Sequence, residues 1–188
     1  MSPGTWEDLA DHGRFAVRPS WHLRPDLVLP PPDFRVIIDT REQLPYFERG
    51  SWACRGTLKS GDYSLDGYQS RIAVERKSLG DAYGSFGAGR ERFVRELERL
   101  ASMDRSAILI EATYADLLDP ERLDPCWRSL VRPASVEGSL LAWSHRHGVD
   151  VLFGGPRRES QRLAFRWLAT WWIEAQERGL PRDDEVEL

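Results

Sequence analysis

A chain of 188 residues, 41% hydrophobic and 30% charged, has enough apolar material for one folded domain and too much for a disordered one. Its net charge of −4 argues against a protein that coats nucleic acid without selectivity. No apolar run approaches the roughly 20 residues that span a bilayer, and residues 1–10 lack a signal-peptide core, so a cytoplasmic protein is expected.

Residues 1–33 read as an irregular arm, with Pro3, Pro19, Pro25 and the run Pro30-Pro31-Pro32 favouring extended chain. Trp6 and Trp21 in that arm suggest that it packs on something. Residues 34–180 carry a mixed α/β pattern. Phe34 to Asp39 is a short apolar run, read as a buried strand. Residues 52–58 and 63–68 form further strands around the turn signal Ser60-Gly61-Asp62. Arg71 to Lys77 is a strand with Ile72, Val74 and Arg76 on one face and Ala73, Glu75 and Lys77 on the other.

Gly84, Gly87 and Gly89 read as a glycine-rich loop, which offers backbone N–H groups to phosphate or is simply flexible. An amphipathic helix follows over 90–101, with Phe93, Val94, Leu97, Leu100 and Ala101 at helical spacing. Residues 107–111 form a strand, 114–118 a short helix, and 135–147 a helix capped by Ser135. A strand over 149–153 and a long helix over 157–178 close the domain, stopped by Gly179 and Pro181. The tryptophans of that helix, Trp167, Trp171 and Trp172, are mostly core. Residues 181–188 read as a loose acidic tail. The expected fold class is α/β, a mixed central sheet flanked by helices.

Cys54 and Cys126 form no CxxC pair, so two free thiols are expected and not a zinc site. His145 and His147 are two apart on a helix and do not face each other. Of the 26 basic side chains only Lys59 and Lys77 are lysines. Against so strong a preference for arginine, a retained lysine marks a position where a compact ammonium is needed.

Glu75 and Lys77 share one strand face, an arrangement that also suits a plain ion pair. If Asp62 approaches Glu75, two carboxylates occupy one small region, which is costly unless a cation joins them. Hard oxygen donors suit Mg²⁺, which polarises a phosphodiester and activates water. Lys77 would then orient or deprotonate that water, or offset charge on the phosphate. Asp39 and Asp81 lie near the same strand ends.

The strings IIDTRE at 37–42, GDYSL at 61–65 and VERKSLGD at 74–81, followed by GSFGAGR, a helix and ILIE at 108–111, resemble the nuclease domain of the XPF family of structure-specific endonucleases. The resemblance implies a restriction-endonuclease-like fold of the PD-(D/E)xK type. It implies a Mg²⁺-dependent endodeoxyribonuclease, with Mn²⁺ as a substitute, that cuts branched, flap or nicked DNA in repair or recombination. Carried over, Asp62 and Glu75 are metal ligands, joined by Asp39 directly, through water or not at all, and by the Arg76 carbonyl. Lys77 matches the catalytic lysine, and Arg76 and Asp81 complete the catalytic motif. Arg41 and Glu42 line the site and contact DNA, as do Arg90 and Arg92.

Plain structural readings stand beside these. Asp81 serves as a helix N-cap, Arg76 pairs with a carboxylate such as Asp81, Arg41 pairs with Glu42, and Glu111 is structural. Tyr83 and Phe86 pack in the core or stack on a base. The family usually appends helix-hairpin-helix modules, which the sequence does not show. Grip on DNA is therefore expected from a homodimer or a DNA-binding partner protein. The rival readings are an inactive scaffold subunit and a less selective nicking or resolvase-like nuclease of a phage or mobile element. The implied compartment is the nucleoid-associated cytoplasm of a bacterium or phage host, or a nucleus in a eukaryote.

Overall fold

The computed structural model describes residues 30–31, 33–47, 52–87, 89–124 and 128–185. Most of the expected N-terminal arm, with Trp6 and Trp21, lies outside the described residues, as does Cys126; Cys54 is a free thiol. Among the described residues no helix is long and apolar enough to cross a membrane.

Six strands form one sheet: β1 (Val36–Asp39), β2 (Ala53–Gly56), β3 (Tyr63–Leu65), β4 (Ile72–Ser78), β5 (Arg105–Glu111) and β6 (Asp150–Phe153). Their spatial order is β2-β1-β3-β4-β5-β6. β3 runs antiparallel to both its neighbours, while β1/β2, β4/β5 and β5/β6 pair in parallel. The sheet is thus mixed, as the sequence pattern predicts. The helices are α1 (Leu79–Phe86), α2 (Arg90–Ala101), α3 (Tyr114–Leu118), α4 (Pro133–His147) and α5 (Arg157–Glu177).

Alternation along the strands splits the core into two layers. Ile72, Val74 and Leu109 face α5 with Phe34, Tyr63, Phe165 and Leu168. Ala73, Ile108 and Ile110 face α1, α2 and α4 with Phe86, Leu97 and Trp143. This layering leaves one end of β4 clear of both layers. Along β4 burial is complete at Ile72–Val74 and partial from Glu75 to Ser78.

Three elements differ from the sequence reading. The glycine-rich stretch expected as a loop is helical through Phe86. Leu79, Ala82, Tyr83 and Phe86 recur at helical spacing and are buried, and that packing overrides the poor helix propensity of Gly80 and Gly84. Tyr83 and Phe86 are accordingly core side chains. The helix expected to start at Ser135 begins two residues earlier, with Pro133 in its first turn and no side-chain cap. The tail is not loose over 181–185: Asp183 accepts from Ser70 N–H and Oγ at 2.8 and 2.6 Å, and Arg182 pairs with Asp66 at 3.5 Å.

Trp143, 1% exposed, stacks on Phe86 at 4.6 Å and meets Phe93 edge-on at 5.3 Å, joining α4 to α1 and α2. Trp143→Ala is therefore expected to cost about 3–5 kcal/mol of stability, read as a fall in the urea midpoint; a change below about 1 kcal/mol would show that this joint is not a keystone of the layer.

Candidate active site

Asp62 is positioned by the backbone on both sides. Its N–H donates to Val74 O at 2.8 Å, and its carbonyl accepts from Asp39 N–H at 2.8 Å. The preceding Gly61 has φ +78, and a Cβ there would stand 2.9 Å from Ala73 Cβ and 3.2 Å from Val74 O, so the turn requires glycine. From α2, Glu96 accepts from Gly61 N–H at 3.1 Å and Arg99 donates to Ser60 Oγ at 3.1 Å. The turn so held delivers the Asp62 side chain over β4, where Oδ2 accepts from Arg76 N–H at 2.8 Å.

This places Asp62 beside Glu75, the juxtaposition on which the sequence reading depends. The two line one cleft of about 450 Å³ together with Glu42, Arg76, Lys77, Asp81 and Arg92. Gly80, Gly84 and Gly89 form part of its wall, and a Cβ on Gly84 would meet nothing within 4 Å. Lys77 Nζ lies 3.3 Å from Glu75 Oε1 and 4.1 Å from the centroid of the Phe93 ring. The ion pair foreseen as the plain reading of ExK is present, inside the cleft and not on an open sheet face.

Electrostatics mark the pair of carboxylates. Burial, reinforced by the negative charge of Glu75, pushes Asp62 up to about 8 against the pull of the Arg76 N–H. Burial also raises Glu75; Lys77 opposes that rise and Glu96 adds to it. Both carboxyls are thus held above their ordinary values side by side in one cleft, the mark of a candidate functional site.

The remaining candidates divide. Asp39, Arg41 and Arg90 do not line the cleft. Asp39 is 1% exposed, and both its oxygens are engaged: Oδ1 by Arg41 N–H at 2.8 Å and Nε at 2.7 Å, Oδ2 by Arg41 Nη2 at 3.2 Å and Leu58 N–H at 2.8 Å. Burial works to raise its pKa, but these hydrogen bonds outweigh it and hold the carboxyl below its ordinary value. Arg41 thus pairs with Asp39 and not, as the plain reading had it, with Glu42. Arg90 stacks its guanidinium on Trp143 at 5.2 Å and reaches Ser139. Asp81 is not the N-cap of its helix. Ser78 is: its Oγ accepts from Asp81 N–H at 3.1 Å and donates to Asp81 Oδ2 at 2.7 Å.

Arg76 does not pair with Asp81 either. Its side chain lies on the α5 face, between Glu111 at 3.2 Å and Glu42 at 3.7 Å and over the Tyr46 ring at 5.6 Å. Glu111 also pairs with Arg157 at 3.1 Å, as suits its structural reading. The roles of Arg157 and Glu96, and the contact of Phe93 with Lys77, escaped the sequence reading because each is a tertiary contact that no local pattern announces. Among the described residues no group of three or more His, Cys, Asp or Glu side chains forms a ready-made metal cage; a cation here would rest on the two carboxylates, backbone oxygen and water, the ligand set Mg²⁺ accepts.

The ERCC4 domain model matches residues 29–166, and the chain belongs to this family. Two solved structures share its fold. XPF from Aeropyrum pernix matches with a TM-score of 0.56 at 23% identity, over 73% of this chain and 61% of that one. XPF from Aeropyrum pernix in complex with DNA matches with a TM-score of 0.55 at 22% identity, over 74% of this chain and 65% of that one. The chain therefore spans less than two thirds of the length of either. No curated protein matches the sequence.

The sign of the Asp62 shift fixes a pH dependence. In the unfolded chain this carboxyl ionises near 4, whereas in the fold it keeps its proton until about 8. The folded state binds the extra proton in that window, so stability is greatest below it and falls as pH rises from about 4 to 8. In EDTA, the melting temperature of the wild type should fall over this range more steeply than that of Asp62→Asn; parallel pH profiles would show that the fold does not hold the proton on Asp62.

Proposed function

We propose that this protein is a divalent-metal-dependent DNA endonuclease that hydrolyses phosphodiester bonds at branched, flap or nicked DNA, in repair or recombination. The observation that carries the reading is the shared placement of Asp62 and Glu75 in one cleft, with the Lys77 ammonium 3.3 Å from Glu75. Membership of the ERCC4 domain family supports it, and so does a fold shared with a protein solved in complex with DNA.

Asp62 and Glu75 fit Mg²⁺ or Mn²⁺: both are hard carboxylates, and their mutual repulsion is what a cation relieves. When bound, such an ion supplies Lewis-acid polarisation of the phosphate and lowers the pKa of water. Asp62 and Glu75 hold and orient that charge. Lys77, as an ammonium, orients the attacking water and offsets the negative charge that grows on the phosphate oxygens. Phe93 beneath it keeps the ammonium in place through its ring face. Arg92, on the cleft wall, contacts the DNA backbone, and the glycine wall lets that backbone approach closely. Asp39 is assigned no ligand role; with Arg41 and Leu58 it fixes the strand end next to Asp62. A homodimer or a DNA-binding partner protein supplies the further grip that branched substrates need.

Retention of both acids and the lysine speaks against an inactive scaffold. Purified protein with Mg²⁺ should cut flap, fork or nicked duplexes and lose that activity in EDTA. Lys77→Ala should lower the single-turnover rate by roughly 10²- to 10⁴-fold with the fold intact. Cutting that persists in EDTA, or a Lys77→Ala rate equal to wild type, would remove the proposed chemistry.

A further inference from the structure

Arg157 opens α5 and does not line the cleft, yet its contacts lead into it by two routes. We propose that Arg157 is a positioning residue for cleavage, fixing from outside the cleft where Asp62, Glu75, Lys77 and Glu42 stand; the inference rests on the nuclease reading above.

The first route runs through Glu111. Its Oε1 accepts from Arg157 Nη1 at 3.1 Å, and its Oε2 accepts from Arg76 Nη2 at 3.2 Å, so one carboxylate bridges two guanidiniums. Arg76 stands in the chain between Glu75 and Lys77, and its N–H donates to Asp62 Oδ2 at 2.8 Å. A shift of Arg76 therefore moves both neighbours and the donor on which Asp62 rests. The second route runs through the loop after β1. Arg157 Nη2 donates to Leu44 O and Pro45 O at 2.8 Å each. Leu44 N–H donates to Glu42 Oε1 at 2.6 Å, and Glu42 Oε2 stands 3.7 Å from Arg76 Nη1. The two routes meet at the Arg76 guanidinium, and Arg157 closes the ring.

The ring is demanding where Arg157 is not. The side chains of Arg76, Glu42 and Glu111 are only 7–13% exposed, and among the described residues nothing accepts from the buried Arg76 Nε. A covered charge with so few partners keeps its place only while those partners are held. Arg157 itself is 45% exposed, so its ion pair adds little to global stability. Its loss thus displaces the cleft far more than it unfolds the protein. Lysine does not replace it, because an ammonium has no rigid fork to serve a carboxylate on one arm and two carbonyls on the other.

The test reads position and rate separately, on full-length wild type, Arg157→Ala, Arg157→Lys and Glu111→Gln. Amide hydrogen exchange followed by NMR without metal should show the Arg76 N–H of Arg157→Ala exchanging at least about tenfold faster than in wild type, with Ile72 N–H unchanged. The melting temperature should move by no more than about 4 °C. With Mg²⁺ and saturating nicked duplex, the single-turnover rate should fall by roughly 10- to 10²-fold. Arg157→Lys should restore neither readout. Glu111→Gln should reproduce both, and the double variant Arg157→Ala/Glu111→Gln should be no slower than the slower single one. Glu111→Gln carries the same test if Arg157→Ala does not fold. Unchanged exchange at Arg76, equal acceleration at Arg76 and Ile72, or a wild-type cleavage rate in Arg157→Ala overturns the proposal. If wild type cuts no DNA while the Arg76 amide still loosens in the variant, the ring stands as the device that positions the cleft and the nuclease reading falls instead.

Discussion

Everything at the candidate site depends on one backbone clip: Asp62 donates its N–H to Val74 O and receives the Arg76 N–H on its carboxylate, each at 2.8 Å. The clip fastens the turn after Gly61 across β4, so the Asp62 carboxylate cannot leave Glu75 without breaking the ladder. Two carboxylates held so close would drive a flexible segment apart. Here the cost is spread over elements that are already fixed: β1 through Asp39, α2 through Glu96 and Arg99, and the close contact that only a glycine permits. On the proposed reading the site is preorganised, because the elements that hold the two carboxyls are already fixed.

β4 uses its two faces differently. On the α2 side, Glu75 and Lys77 extend past Ala73 into the cleft. On the α5 side, Arg76 joins a chain of charges running from Glu42 through Arg76 and Glu111 to Arg157. Partly buried ion pairs of this kind contribute little net stability, because desolvation offsets their attraction. Their effect is geometric. They lock the end of β4, the end of β5, the loop after β1 and the start of α5 in one relation.

Much of this was legible in the sequence because it is written locally. Strand alternation put Glu75 and Lys77 on one face, helical periodicity bounded α2 at Arg90 and Ala101, and the Gly61-Asp62 turn announced itself. What stayed hidden was written non-locally. Gly80 and Gly84 looked like loop residues, yet α1 is made helical by the burial of Leu79, Ala82, Tyr83 and Phe86. Arg76 could have met Asp81 by chain proximity, but the pleat turns it to Glu111, 35 residues away. Asp39 looked like a ligand by its place in the motif, and only the folded chain shows its oxygens taken up by Arg41 and Leu58. The tail was acidic and so looked free, but one aspartate finds the N–H and hydroxyl of Ser70.

The balance of charge in the cleft explains why a protein of net −4 is a credible partner of DNA. Asp62, Glu75 and Asp81 face Lys77 and Arg92, while Glu42 is paired with the Arg76 guanidinium. An acid-rich cleft repels a phosphodiester, and burial strengthens that repulsion by lowering the local dielectric. Burial, with the negative charge of Glu75 adding to it, pushes Asp62 up to about 8. A divalent cation would displace the Asp62 proton and reverse the sign of the local field, turning a barrier to phosphate into an attraction. On the proposed reading, selectivity for cation and selectivity for DNA are therefore one property of the cleft: the backbone is admitted where the metal has neutralised the acids.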